Sequence, residues 1–143
     1  MPAQPKSRYT GVTPETRRRM QAVRRHNTTP EMLVRQILHA HGYRYRLHRK
    51  NLPGTPDIVF PSRHKIILVH GCFWHGHANC KRGKLPSSNL QIWKSKIDDN
   101  RARDERNISK LHVLGWDVLV VWECELNNPT MVLSRLRQFL ETI

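Results

Sequence analysis

The 143-residue chain has no apolar run approaching the ~18 residues of a bilayer-spanning helix, so no segment reads as a membrane span. Met1 to Thr10 lack an apolar signal core, and the expectation is a cytoplasmic, nucleoid-associated protein. Cysteine is scarce. Three cysteines are an odd number, which argues against a disulfide framework. Acids are also few, 11 against 25 Lys and Arg, for a net charge of +14. That imbalance exceeds what solubility needs and favours a polyanionic partner, nucleic acid before an anionic membrane. Membrane binding ranks low because no helix pairs a basic face with a strong apolar one. Internal repeats and low-complexity segments are absent, and the length fits one domain.

The charge is uneven. Residues 1–50 hold twelve Lys and Arg and two acids. Residues 1–12 read as a flexible basic tail, and 13–143 as a single domain. Thr13-Pro14-Glu15 is a helix start signal, with an N-cap, a proline and an acid in order. A short basic helix should run to about Val23, and residues 13–26 form a DNA-gripping element. Arg17, Arg18, Arg19, Arg24 and Arg25 can neutralise phosphates there in a salt-dependent way. Thr29-Pro30-Glu31 repeats the start signal, Met32, Leu33, Val34, Ile37 and Leu38 make an apolar stripe, and Gly42 stops it.

Tyr43 to His48 alternates with period two, as a half-buried strand does. Asp57 to Phe60 and Lys65 to Val69 are short apolar runs joined by Pro61-Ser62-Arg63-His64, a hairpin of buried strands. A long helix is predicted from about Asn89 to Leu114, with Ile92, Trp93, Ile97, Ile108, Leu111 and Leu114 as its apolar positions. Trp116 to Glu123 is a further strand. Asn128-Pro129 opens a last helix with Val132, Leu136, Phe139 and Leu140 facing inward. This order predicts an α/β sandwich around a mixed sheet.

The richest stretch is Val69-His70-Gly71-Cys72-Phe73-Trp74-His75-Gly76-His77-Ala78-Asn79-Cys80. Three histidines, two cysteines and two adjacent aromatics suit a metal site, a catalytic site or a nucleic-acid wedge. Cys72, His77 and Cys80, with Cys124 from beyond the last strand, make a closed Cys₃His shell for structural Zn²⁺. Cys72 and Cys124 could also be small buried hydrophobes. Asp57 and His70 lie on the two strands of the hairpin and reach one end of the sheet. A carboxylate there can hold Mg²⁺, and a histidine can move a proton. Taken alone, an Asp after Pro is also an ordinary turn residue. Asp104 falls in a charged run that suits a solvated surface, and Trp93 suits core packing.

Pro53-Gly54-Thr55-Pro56-Asp57, His70-Gly71-Cys72-Phe73-Trp74-His75, Asp104 in Arg103-Asp104-Glu105-Arg106, Leu114-Gly115-Trp116 and Val121-Trp122-Glu123-Cys124 together resemble the very-short-patch repair (Vsr) DNA mismatch endonucleases. The resemblance runs from about Thr13 to the last helix. It implies a restriction-endonuclease-like (PD-(D/E)xK-related) fold and a Mg²⁺-dependent nick 5′ to the T of a T:G mismatch. The partner would be double-stranded DNA, the enzyme a monomer, and the setting repair of deaminated 5-methylcytosine. A functional link to a cytosine-5 methyltransferase and mismatch repair proteins follows from that setting.

The resemblance maps Mg²⁺ onto Asp57 and the Val69 carbonyl. Leu68 and His70 stand where related nucleases carry an acid and a lysine. His75 would be the general base, held by Asp104. His70 would face the scissile phosphate, and Glu31 would reach the metal through water. Phe73, Trp74 and Trp93 match aromatics that insert beside the mismatch, and Asn100 matches a position on the long helix. Gly76 departs from the family by interrupting its usual run of histidines, and the His77–Cys80 gap is one residue longer than the common pattern. Two competing readings are a restriction or homing-type nuclease on the same fold and a non-catalytic zinc-stapled DNA-binding module. The second leaves Asp57, His70, His75 and Asp104 without a task.

Overall fold

The computed structural model describes residues 27–142, together with Pro14. The basic tail, the 13–26 element and its five arginines lie outside the described residues.

Helix α1 (Thr29–Ala40) begins one residue after its cap, since Thr28 Oγ1 accepts the Glu31 N–H at 3.3 Å. It ends where Gly42 takes φ +86, the left-handed turn that glycine adopts without a Cβ penalty. Strand β1 (Arg46–Leu47) pairs antiparallel with β2 (Ile58–Phe60), which pairs antiparallel with β3 (Lys65–His70). Helix α2 (Leu90–Val113) then crosses over, and β4 (Asp117–Trp122) returns parallel to β3 in register from Lys65–Asp117 to His70–Trp122. Helix α3 (Pro129–Glu141) closes the chain, its first turn capped by Asn128 Oδ1 accepting from Met131 N–H. The sheet order is β1-β2-β3-β4, a mixed sheet as the α/β pattern predicts.

The sheet is buried on both faces, which is why β2 and β3 read as unbroken apolar runs. Ile58, Phe60, Ile67, Val69 and Val121 point to one side, against Val34 and Leu38 of α1 and Val132, Leu136 and Leu140 of α3. Val59 and Ile66 point to the other, against Leu111 of α2. Each fully buried leucine or isoleucine here contributes about 1.5–3 kcal/mol by leaving water.

Two expectations shift. Only Arg46 and Leu47 of the Tyr43–His48 alternation enter the ladder, because Tyr43 and Tyr45 turn their rings edge-on to Phe60 at 6.5 and 6.2 Å. Leu114 is 57% exposed, since it caps α2 beyond the last turn that meets the sheet. The parallel pairing of β3 and β4 has the larger consequence for function. It places the carboxyl ends of both strands side by side, and the His- and Cys-rich loop leaves from there.

Candidate active site and metal cluster

Three groups of side chains meet around that end of the sheet. The first is built on Asp57, which immediately precedes β2. Asp57 Oδ2 accepts the Val69 N–H at 2.9 Å, so the β2–β3 hairpin fixes the carboxylate. Glu31 reaches it from α1, although Glu31 is only 1% exposed. His48 Nε2 lies 3.1 and 3.0 Å from the two Glu31 oxygens. Ligating atoms of Glu31, His48 and Asp57 all fall within 4.8 Å of one another. Burial pushes the Asp57 carboxyl up to about 7; the Val69 N–H pulls it down, and the charge of Glu31 pushes it further up. Arg35 Nη1 lies 3.4 Å from Glu31 Oε2 and offsets part of its charge, and two carboxylates brought this close out of water suit a divalent cation.

The second group is His70, His75 and Asp104. His70 ends β3, His75 follows in the loop, and Asp104 comes from the middle of α2. The two imidazoles stack at 3.9 Å with planes 4° apart. His75 Nδ1 lies 2.6 Å from Asp104 Oδ2, a charge-assisted hydrogen bond that assigns the proton to Nδ1 and leaves the Nε2 lone pair outward. Burial, and secondarily His75, lowers His70 to about 3, so His70 is neutral at physiological pH. Its Nδ1 is buried and lacks a hydrogen-bond partner among the described residues. Asp104 and Asp57 also feel each other's charge, so the two groups form one electrostatic unit.

The third group is Cys72, His77, Cys80 and Cys124, whose ligand atoms likewise lie within 4.8 Å of one another. The Cys124 N–H donates to Cys72 Sγ at 3.3 Å, and Cys124 Sγ is 3.5 Å from His77 Nδ1. A tetrahedral shell with sulfur at about 2.3 Å spaces its ligands about 3.8 Å apart, so the donors fit Zn²⁺ in type and reach. The longer His77–Cys80 gap is absorbed by Asn79 in a left-handed conformation, φ +56. Trp122 stacks on the His77 ring at 4.1 Å, and Glu123 Oε1 accepts the Cys72 N–H at 3.4 Å. Gly83 lets the next turn close over the loop, because a Cβ there would meet the His77 carbonyl oxygen at 2.4 Å.

Between these groups Phe73 and Trp74 project as half-buried rings. They contact Trp93 edge-on at 5.2 and 5.7 Å. Trp93 itself is 1% exposed, so it backs the other two rings rather than presenting its own face. Asn100 is buried too, and its Nδ2 donates to the Trp74 carbonyl at 2.8 Å, tying the loop to α2.

Sequence reasoning missed two residues at this end of the sheet, His48 and Glu123. His48 lay at the end of an alternating run that was read as strand. Its alignment with Glu31 depends on a left-handed backbone, φ +48, which no periodicity reveals. The visible signal was a histidine abutting the turn that leads to Asp57.

A mixed sheet flanked by helices, with a carboxylate–histidine array at one end of its strands, is the architecture of restriction-endonuclease-like nucleases. A similar solved structure is the catalytic domain of the homing endonuclease I-Bth0305I, with TM-score 0.52 and 25% identity, over 78% of this chain and 93% of that one. The model of the family described as DNA mismatch endonuclease Vsr matches residues 11–82. The type II nicking enzyme V.XorIIP of Xanthomonas oryzae pv. oryzae is 56% identical over 131 residues, 91% of this chain and 96% of that protein. The DNA mismatch endonuclease Vsr of Escherichia coli K12 is 40% identical over 109 residues, 76% and 69% of the two chains. The chain belongs to the Vsr family of DNA endonucleases and nicking enzymes.

Proposed function

We propose that this nuclease nicks one strand of duplex DNA 5′ to the T of a T:G mismatch, with Mg²⁺ at Asp57 and Zn²⁺ in the Cys₃His cluster. The observation that carries the reading is the pairing of a base-competent His75–Asp104 dyad with a buried carboxylate pair at one end of the sheet. The likeness to the Escherichia coli mismatch endonuclease supports the choice of T:G.

In this reading Asp57 and the Val69 carbonyl would hold the divalent ion, with Glu31 close by. The ion supplies Lewis-acid stabilisation of charge on the phosphodiester. His75 Nε2 takes the proton of the attacking water while Asp104 keeps the Nδ1 proton in place. The water oxygen bonds to phosphorus as the P–O3′ bond breaks; His75 takes the water proton, and the departing 3′ oxygen takes a proton from solvent, giving a 5′-phosphate and a 3′-hydroxyl at one nick. His70 faces the phosphate as a neutral imidazole, and its orphaned Nδ1 gains a partner when the substrate binds.

Phe73 and Trp74 enter beside the mismatched pair, backed by Trp93, while Asn100 keeps their loop on α2. Unstacking a step costs a few kcal/mol, which ring–base stacking offsets, and a wobble pair is easier to open than a Watson–Crick pair. Arg17, Arg18, Arg19, Arg24 and Arg25 grip phosphates. A monomer serves a single-strand cut, and the repair of deaminated 5-methylcytosine links the enzyme to a cytosine-5 methyltransferase and to mismatch repair proteins. The cytoplasm, on the nucleoid, is where such a substrate occurs.

The test is a nicking screen on T:G duplexes with randomised flanks in Mg²⁺, beside matched duplexes. Cleavage of one strand, only with the mismatch, is expected. Cutting of both strands of matched duplex would support the restriction or homing reading instead. Binding without cleavage would support the DNA-binding module.

A further inference from the structure

His48 has no role in the mechanism above, yet its position relative to the carboxylate pair is tightly determined. Two contacts and an unusual backbone conformation define it. Its backbone N–H donates to the Asp57 carbonyl at 3.1 Å, which anchors it to the start of β2. Its backbone is left-handed at φ +48, a conformation that costs a non-glycine residue on the order of 1 kcal/mol. Its Nε2 meets both Glu31 oxygens, at 3.0 and 3.1 Å, inside a cluster that also contains Asp57. An octahedral ion with donors at about 2.1 Å sets neighbouring ligands about 3 Å apart, the spacing found between Nε2 and Glu31. The same spacing suits a hydrogen bond when no ion is present. Two carboxylates and a neutral imidazole match a dication in charge, and Arg35, 3.4 Å from Glu31 Oε2, stands beside the set as a further positive charge.

We infer that Glu31, His48 and Asp57 form a mixed oxygen–nitrogen ligand set for the divalent ion, with His48 Nε2 as the nitrogen donor. The inference rests on the divalent-ion reading of the site given above. A nitrogen donor changes which cations bind best. Oxygen ligands alone suit Mg²⁺, whereas an imidazole adds affinity for first-row transition ions such as Mn²⁺ and Co²⁺. Glu31 then contacts the ion directly instead of through water. The centre should accept Mg²⁺ but bind Mn²⁺ more tightly, and His48 should account for the difference.

The experiment uses the full-length protein with its zinc loaded and Mn²⁺ as the probe. Electron spin echo spectra of bound Mn²⁺ report ¹⁴N coupling from a ligating imidazole, and calorimetry gives Mn²⁺ and Mg²⁺ affinities. Wild type should show the coupling. His48→Gln should remove it while keeping an amide donor for Glu31, and His70→Ala should keep it. His48→Gln should also weaken Mn²⁺ by roughly tenfold or more, a loss typical of perturbed metal shells, and Mg²⁺ by much less. No ¹⁴N coupling in wild type, coupling that survives His48→Gln, or equal weakening of both ions would overturn the inference and leave His48 as a residue that positions Glu31. His48→Asn, which also lacks an imidazole nitrogen, repeats the test if the glutamine variant misfolds. T:G nicking by wild type in Mg²⁺ is measured in parallel. Nicking without ¹⁴N coupling would reject the ligand assignment alone and leave the nuclease reading standing.

Discussion

Asp104→Asn changes one atom and probes the base directly. In the wild-type geometry the 2.6 Å contact favours the His75 tautomer protonated at Nδ1, which leaves the Nε2 lone pair free for the base role proposed above. An amide can present its N–H₂ to Nδ1, which drives the proton to Nε2 and removes the lone pair that would accept from water. Loss of a charge-assisted hydrogen bond alone is worth about 1.5–3 kcal/mol, or roughly 10- to 150-fold in rate. Loss of the correct tautomer extends this toward the roughly 10²–10⁴-fold that a general base contributes. The expected result is therefore a fall of at least about thirtyfold in the single-turnover nicking rate, with DNA affinity nearly unchanged. Asp104 is part-exposed, so the thermal midpoint should move little. Nicking within threefold of wild type would refute the dyad. An equal loss of rate and of DNA affinity would point to a role in binding.

Three further perturbations test the rest of the site. Cys124→Ser should lower both bound zinc, by elemental analysis, and the thermal midpoint; unchanged values in both would reject the cluster as a metal site. Asp57 has a folded pKa of about 7, above its ordinary 3.8, so the folded state binds more protons between those values. Without divalent ion, stability should therefore fall as pH rises from about 4 to about 7, and Asp57→Asn should flatten that slope in thermal melts; an equally steep slope in the variant would contradict the assignment. Gly76 takes φ +62, and a Cβ there would meet Ile97 and Arg101 side-chain atoms at 2.6 Å. Gly76→Ala should consequently destabilise the protein and slow nicking, whereas Gly42→Ala, with φ +86 but open space, should cost stability only; equal effects on nicking would show that the loop does not depend on this close approach.

How far residues reveal structure varies along the chain. The cap signals at Thr29 and Asn128 and the stop at Gly115 place α1, α2 and α3 within a residue or two, although the side chain that caps α1 is Thr28, one residue earlier. The runs at β3 and β4 are equally plain, since both faces of the sheet are covered. Residue type and family resemblance sort His70 to Cys80 into groups, and the fold likewise gathers His70 and His75 with Asp104, apart from Cys72, His77 and Cys80 with Cys124. Depth could not be read in the same way. Residue type leaves Trp93 open between core packing and a DNA contact, and only the family resemblance assigns it and Asn100 to DNA; the fold buries both, with Asn100 tied to the Trp74 carbonyl. His48 escaped because its placement depends on tertiary contacts with Glu31 and Asp57, seventeen residues before and nine after.

The Cys₃His cluster has a topological effect as well. Cys72 and Cys124 are 52 positions apart, and the whole of α2 and β4 lies between them. An ion gripping both ends closes that stretch into a ring. By the chain-entropy relation for cross-links, closing a loop of this length is worth about 4 kcal/mol against the unfolded chain. Trp93, Asn100 and Asp104 all ride on the enclosed helix. Loss of the ion would therefore slacken the aromatic backing and the dyad together. Such a DNA endonuclease would then lose both groups in one step rather than one after the other.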